Sequence, residues 1–150
     1  MISLKSAEKK DIREILEIEN SSFSSDRFSE SQFIYLLFKA KAEFKVIKIN
    51  GSVRAYLILL FRNNCKGLRI YSIAVHTQAR GLGLASKLLE FTDNYANKNK
   101  YTHIHLEVRA DNDSAINLYQ KSGFKISGKK DTFYKDGSDA IIMIKKTSST

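Results

Sequence analysis

Cysteine is almost missing from this chain of 150 residues: Cys65 stands alone. Neither an intrachain disulfide nor a multi-cysteine zinc site can therefore form. Long apolar runs are missing too. The longest, Tyr56-Leu57-Ile58-Leu59-Leu60-Phe61, is far short of the ~20 residues that cross a bilayer. The opening Met1-Ile2-Ser3-Leu4-Lys5 has no basic segment followed by a long apolar stretch, so the sequence predicts a cytoplasmic protein with no membrane partner. There is no low-complexity tract and no repeat at a period of about 20–50 residues, which excludes solenoids and propellers. Acidic residues are in the minority, 16 against 25 Lys and Arg, for a formal charge of +9. The basic residues are scattered from Lys5 to Lys146 without interleaved aromatics. That pattern fits a compositional bias spread over a solvated surface, or a partner rich in phosphate or carboxylate, and requires no direct nucleic-acid binding.

What is present fits a soluble α/β chain. Apolar residues make up 43% and charged residues 27%, which excludes a wholly disordered protein. The length predicts a single domain over residues 1–150. Residues 2–5 read as a short strand, and Ser6 is placed to cap a helix on which Ile12, Ile15, Leu16 and Ile18 recur near helical spacing. Ser29-Glu30-Ser31-Gln32 has the form of a capping box and starts a second helix, with Phe33, Leu36, Leu37 and Ala40 on one stripe. Residues 43–49 and 53–61 are strand-like and joined by Asn50-Gly51, a dipeptide that accepts the positive φ angles of a hairpin turn. Residues 68–75 form a third long strand, and 82–97 a helix burying Leu84, Leu88, Leu89 and Phe91. Residues 101–108 are again a strand. A helix over 114–121 stops at Gly123, and strands at 124–127 and 140–145 flank a polar loop. The order is β-α-α-β-β-β-α-β-α-β-β, an α/β (α+β) arrangement.

The strongest local signal is Arg80-Gly81-Leu82-Gly83-Leu84-Ala85, between a strand ending at Val75 and the start of a helix. Glycines at 81 and 83 let backbone approach a ligand closely, and the first-turn N–H groups of a helix have no intrahelical acceptor. The helix dipole adds about half a positive charge there, which suits a pyrophosphate. Taken alone, a G-x-G serves a tight turn equally well. The G-x-x-x-x-G-K-[ST] spacing of a P-loop is absent, and Ser86 stands where a dinucleotide fingerprint has its third glycine.

Arg80 to Ala85, preceded by Ile73-Ala74-Val75, resembles the R/Q-x-x-G-x-G/A signature of the GNAT superfamily of N-acetyltransferases. Leu106-Glu107-Val108-Arg109-Ala110 with Asn112, then Ala115-Ile116-Asn117-Leu118-Tyr119 and Ser122-Gly123-Phe124, are similar to the LEVRxxN, AIxLY and xGF blocks of RimI-type ribosomal-protein-alanine acetyltransferases. Asp139-Ala140-Ile141-Ile142-Met143 looks like that group's last strand. The likeness is close over about residues 70–145 and looser before them. It implies a mixed, mostly antiparallel central sheet, splayed at an acetyl-CoA cleft, with helices on both faces. In that fold the backbone of Ile73 to Val75 pairs with the pantetheine arm of acetyl-CoA, its pyrophosphate meets Arg80 and the amides of Gly81, Leu82, Gly83, Leu84, Ala85 and Ser86, and Asn112 hydrogen-bonds the arm. Asn112 also suits a helix cap, which Asp111 or Asp113 could equally supply.

Transfer to an amine needs a free lone pair, a polarised thioester carbonyl and a proton for the departing thiolate. The resemblance makes Glu107 the base and Tyr119 the acid, each proton transfer being worth ~10²–10⁴ in rate. Glu107 could instead pair with Arg109 or a lysine, and Tyr119 could be an amphipathic core residue. His103, His105 and Glu107 share one strand face, a spacing that imitates a metal site. The family needs no metal, and His105 also suits a proton relay beside Glu107. Cys65 reads as an incidental thiol, which favours direct transfer without an acyl-enzyme. A peptide α-amine, with pKa ~7.7–8.0, loses its proton far more easily than a lysine at ~10.4. The expected acceptor is therefore a protein N-terminus, such as that of a ribosomal protein. A small amine or lysine side chain is the alternative, and a non-enzymatic acetyl-CoA- or ribosome-binding module the third reading. The acceptor is expected between residues 23–33 and 132–138, with Phe28 and Tyr134 as walls. Phe28-Ser29-Glu30 and Thr132-Phe133-Tyr134-Lys135 depart there from the group's W-S-E and N-Y-Y-P.

Overall fold

Along the chain follow β1 (Ile2–Ser6), α1 (Ile12–Ser22), α2 (Glu30–Phe38), β2 (Ala42–Ile49), β3 (Ser52–Leu60), β4 (Gly67–Val75), α3 (Leu84–Lys98), β5 (His103–Arg109), α4 (Asp113–Lys121), β6 (Lys125–Lys130) and β7 (Ala140–Lys146). The computed structural model describes residues 1–22, 29–38, 41–62 and 64–148. The strands form one seven-stranded sheet in the order β1-β2-β3-β4-β5-β7-β6. Every neighbouring pair is antiparallel except β4 with β5.

Strand alternation sends side chains into two cores, one on each face. On β3, Ala55, Leu57 and Leu59 join Leu84, Leu88 and Leu89 of α3 and Tyr119 of α4. Val53, Tyr56 and Ile58 face the other way, against Ile15 and Ile18 of α1 and Phe33 and Leu36 of α2. β3 is thus covered on both faces, which explains its unbroken apolar run. The second core contains one polar knot. Glu19 of α1 is fully buried and accepts a hydrogen bond from the Tyr56 hydroxyl, which also meets Ser72 Oγ at 3.1 Å.

Local chemistry explains the element ends. Asn50 and Gly51 take φ of 53° and 88° and close the β2–β3 hairpin as their sequence predicts. The capping box at α2 is formed: the Ser29 N–H donates to Gln32 Oε1 at 2.7 Å, and the Gln32 N–H to Ser29 Oγ at 3.3 Å. Ser6 does not cap α1. It is the last residue of β1, and its hydroxyl accepts from the Lys45 ammonium at 2.7 Å. A short 3₁₀ turn, Lys9–Asp11, leads into α1 instead, with Asp11 Oδ2 accepting from the Glu8 N–H at 2.9 Å.

The helix expected from residue 82 starts at Leu84, because Gly81 and Gly83 both have left-handed φ, 83° and 74°. Its buried face adds Thr92 and Ala96. Phe91 is only half-buried, 5.9 Å from the Tyr95 ring with the Lys45 ammonium over it. β6 runs three residues further than expected, to Lys130. Of the apolar positions assigned to α2 from sequence, Ala40 lies outside the described residues.

Candidate active site

β4 and β5 pair over only three positions, Gly67 with His103, Leu68 with Ile104 and Arg69 with His105. Beyond Arg69 and His105 the two strands part. The cause lies on the opposite edge of β4. There Ile58 pairs with Ser72 and Leu59 with Ile70, so Tyr71 is the extra residue of a β-bulge. A bulge bends its strand and sharpens the twist. It also reverses the alternation: Leu68 and Ile70 face the α3 and α4 core, whereas Ala74 beyond the bulge faces α1. Ile73 and Val75 consequently pack toward α3 and α4, on a strand edge with no neighbour toward β5 among the described residues.

A cleft of ≈ 220 Å³ opens into this gap. β4 supplies Ile73, Ala74 and Val75, the turn into α3 supplies Arg80 and Ala85, and α4 supplies Asn112, Ser114, Ala115, Leu118 and Tyr119. The sequence had placed Ile73, Ala74, Val75, Arg80, Ala85, Asn112 and Tyr119 in the site, and the fold brings them to one cavity. Gly81 and Gly83 lie in the turn between the lining residues Arg80 and Ala85, in a backbone conformation that side chains rarely adopt, and a Cβ at either would meet nothing within 4 Å. They are therefore required by φ rather than by packing, and the space beside them is open. The first intrahelical bond of α3 runs from the Lys87 N–H to the Gly83 carbonyl at 3.1 Å. The amides of Leu84, Ala85 and Ser86 lie before it and have no acceptor within the helix. The Leu84 side chain is buried in the core, so it is available to a ligand only through backbone, whereas Leu82 is exposed. Asn112 caps α4: its Oδ1 accepts from the Ala115 N–H at 3.2 Å and from Ser114 Oγ at 3.3 Å. It lines the cleft as well.

Tyr119 is buried, edge-on to Phe124 at 5.8 Å. Burial, with a smaller contribution from Tyr134, pushes its phenol well above the usual tyrosine range. Glu107 is not part of the cleft lining. On β5, Ile104, Leu106 and Val108 enter the α3 and α4 core, whereas His103, His105, Glu107 and Arg109 take the opposite face. Glu107 and Tyr119 thus reach the strand split from opposite sides of the sheet. The partner of Glu107 is neither Arg109 nor a lysine. It is Arg69 of β4, whose Nη2 donates to Glu107 Oε1 at 2.6 Å, with the Glu107 side chain 7% exposed.

Sequence reasoning missed Arg69, because nothing in the chain announces which β4 residue faces β5 at the last paired position. The Arg69 guanidinium also lies over the Tyr71 ring at 5.1 Å. Its Nε and His105 Nδ1 are buried without a hydrogen-bond partner among the described residues. Burial lowers the His105 pKa, opposed by Glu107. Ser114, Ala115 and Leu118 were also missed as cleft residues, although Ala115, Leu118 and Tyr119 have the three- and four-residue spacing of one helix face.

Arg109 meets the loop before β7, where Tyr134 lies under its guanidinium at 4.9 Å. Phe28 lies outside the described residues. Among those residues no group of three or more His, Cys, Asp or Glu is arranged to hold a metal, and no helix is long and apolar enough to cross a membrane.

A mostly antiparallel sheet split between two parallel strands, with a glycine turn and a helix N-terminus at the mouth, defines an acyl-CoA-type transferase. Residues 10–124 match the Acetyltransferase (GNAT) family, and the chain belongs to it: this is an acetyl-CoA-dependent N-acetyltransferase. It is 32% identical to an N-alpha-acetyltransferase of Sulfurisphaera tokodaii over 93% of this chain and 90% of that protein. Its fold is similar to that of the ribosomal-protein-S18-alanine N-acetyltransferase from Escherichia coli, with a TM-score of 0.86 and 29% identity, covering 99% of this chain and 95% of that one. Ard1 from Thermoplasma volcanium is similar too, with a TM-score of 0.91 and 26% identity over 97% of both chains.

Proposed function

We propose that this chain transfers acetyl from acetyl-CoA directly to the α-amine of a protein N-terminus, a ribosomal protein being one candidate. The observation that carries this reading is the parting of β4 and β5 after Arg69 and His105, with Tyr119 entering the gap from one face and Glu107 from the other. Such a gap lets a thioester and an amine approach each other through the sheet. The free edge of Ile73 to Val75 suits pairing with the pantetheine amides. Arg80 and the uncovered amides of residues 84–86, behind the left-handed Gly81 and Gly83, suit a pyrophosphate, and Asn112 at the start of α4 can meet the arm.

In this reading Glu107, oriented by Arg69, takes the ammonium proton directly or through a water. The freed lone pair attacks the thioester carbonyl and the C–S bond breaks as the tetrahedral intermediate collapses. Tyr119 gives its proton to the departing sulfur and regains one from the newly acylated nitrogen. Each reaction then yields one amide, one thiol and one proton released through Glu107. Tyr119 carries a proton it can give to sulfur; burial raises its pKa, which keeps the phenol neutral but makes it a weaker acid. Tyr134, and Phe28 before α2, are the proposed walls of the acceptor slot. The protein is proposed to act in the cytoplasm as one domain without a metal.

The N-terminal acceptor is supported by the two relatives whose names specify it and by the lower pKa of an α-amine. The test is thiol release from acetyl-CoA over short peptides with free and blocked N-termini, beside polyamines and aminoglycosides. Turnover confined to free N-termini supports the proposal, and equal turnover of blocked peptides bearing an internal lysine overturns it.

A further inference from the structure

A chain of polar groups crosses the second core. Glu19, three residues before the end of α1, and Tyr56 of β3 are fully buried, and Ser72 of β4 is buried as well. The Tyr56 hydroxyl donates to Glu19 Oε1. A phenol has one proton to give, so Ser72 Oγ donates to the phenol oxygen, at 3.1 Å. The Tyr56 ring stands edge-on to Phe33 at 5.8 Å and tilted against Phe44 at 6.2 Å, which leaves it little freedom to follow a displaced partner. Burying a carboxylate and a phenol in this way adds little stability, because desolvation offsets most of the gain, and the best-attested use of such groups is to fix register.

Register is what these strands need fixed. β3 is apolar on both faces, and so is β4 beyond the bulge, with Ile73 and Val75 toward α3 and α4 and Ala74 toward α1. Hydrophobic burial is non-directional and accepts more than one arrangement of such a pair. Ser72 is more exacting. Tyr71 and Ser72 both face α1, as consecutive residues do at a bulge. Without the bulge, or with it one residue later, strict alternation turns the Ser72 hydroxyl into the apolar core under α3 and α4. With it one residue earlier, Tyr71 leaves its place beneath the Arg69 guanidinium, 5.1 Å away.

We propose that Glu19, Tyr56 and Ser72 are positioning residues for the acyl donor: their chain of hydrogen bonds holds the β4 bulge at Tyr71, and with it the point at which β4 leaves β5 and the faces that Ile73 and Val75 present to the cleft. This rests on the proposed seat of acetyl-CoA along residues 73–75. None of the three lines the cleft, whereas Ile73, Ala74 and Val75 do, so the three act through the strand.

The experiment compares Ser72→Ala, Ser72→Thr and a triple apolar replacement, Glu19→Leu with Tyr56→Phe and Ser72→Ala, in the full chain. Cross-strand NMR contacts report register, calorimetry reports acetyl-CoA affinity, and thermal unfolding reports stability. The triple replacement removes all three polar groups together, so its melting temperature should stay near or above that of the wild type. Its contacts of Ile58 with position 72 and of Leu59 with Ile70 should weaken and a second set appear. Its Kd for acetyl-CoA should rise about fivefold or more, since affinity falls with the fraction of chains in the competent register. Ser72→Ala should show the same changes at about threefold, while Ser72→Thr, which keeps the hydroxyl, should match the wild type. A folded triple replacement that keeps both the wild-type contacts and the wild-type affinity overturns the proposal, whatever its melting temperature. A loss of affinity with the contacts unaltered overturns it too. In the wild type, acetyl-CoA should shift the amide resonances of residues 73–75; if it does not, the seat along β4 fails, while the cross-strand contacts still decide whether the lock exists.

Discussion

Tyr119 and Glu107 divide the proton work in the proposed reaction, and their surroundings differ as those tasks require. Tyr119 is buried among apolar side chains that disfavour its phenolate. Tyr119→Phe removes only the hydroxyl, so turnover should fall by about a hundredfold or more while calorimetry shows nearly unchanged acetyl-CoA affinity. Wild-type turnover, with chemistry shown to be rate-limiting, would reduce Tyr119 to a packing residue. Glu107 is held by Arg69 at 2.6 Å, so Glu107→Gln both removes a base and leaves a guanidinium short of its counter-charge. The two effects separate by pH: the deficit from a lost base shrinks as pH rises through the α-amine pKa of ~7.7–8.0, whereas a structural deficit persists. Tyr119 could be placed in the site from the sequence because it falls in an ordered block that resembles a known family, and it lines the cleft; Glu107, named from the same resemblance, stands outside the lining and keeps its role as a proposal. Arg69 was not legible, because its role exists only where β4 and β5 make their last paired contact, and strand register between distant segments leaves no local trace.

The elements that frame the site were legible for the same reason of locality. A hairpin dipeptide, a capping box and a helix-stopping glycine each act over a few residues, and Asn50-Gly51, Ser29 to Gln32 and Gly123 behave as their chemistry predicts. The bulge at Tyr71 was hidden, since it depends on how β4 meets β3, and with it the position at which the sheet opens. The turn before α3 gives a sharper prediction now that its conformation is known. At φ of 74° a β-branched side chain in place of Gly83 is strained, so Gly83→Val should cost about 1–2 kcal/mol of stability as well as cofactor affinity. Gly83→Asn tolerates the left-handed conformation. It should keep the melting temperature close to wild type while its side chain disturbs the open mouth. Calorimetry showing unchanged acetyl-CoA affinity in both folded variants would remove the pyrophosphate from this turn. The β6–β7 loop carries its own pH signature. Hydrogen bonds from the Ser138 backbone and then from Arg109 hold the Asp136 carboxyl down at about 2, from 3.8. A depressed carboxylate stabilises the fold above its unfolded pKa and is lost as pH falls through the folded one. Loop protection, taken relative to the intrinsic amide exchange rate at each pH, should therefore be flat through neutral pH and fall only as pH drops from 3.8 toward about 2.

At the scale of the whole molecule, two cores grip one sheet from opposite faces and leave it open at the β4–β5 split. The polar knot of Glu19, Tyr56 and Ser72 ties α1 to β3 and β4 beside that opening. Tyr56→Phe withdraws one partner from a fully buried carboxylate, so thermal unfolding should show a loss of about 1–3 kcal/mol; an unchanged melting temperature would mean that Glu19 is satisfied without it. The charge of +9 has no single home in the fold, with Lys48, Lys129 and Lys145 each paired to an aspartate. Central to the account is that a gap through the sheet lets an α-amine on one side meet a thioester on the other. The most direct measurement is acetyl transfer from labelled acetyl-CoA to paired peptides of one sequence, one with a free N-terminus and one blocked there but bearing an internal lysine, near neutral pH. Label is expected on the free α-amine, with at most trace label on lysine; equal labelling of the blocked peptide would contradict selective transfer to an N-terminus.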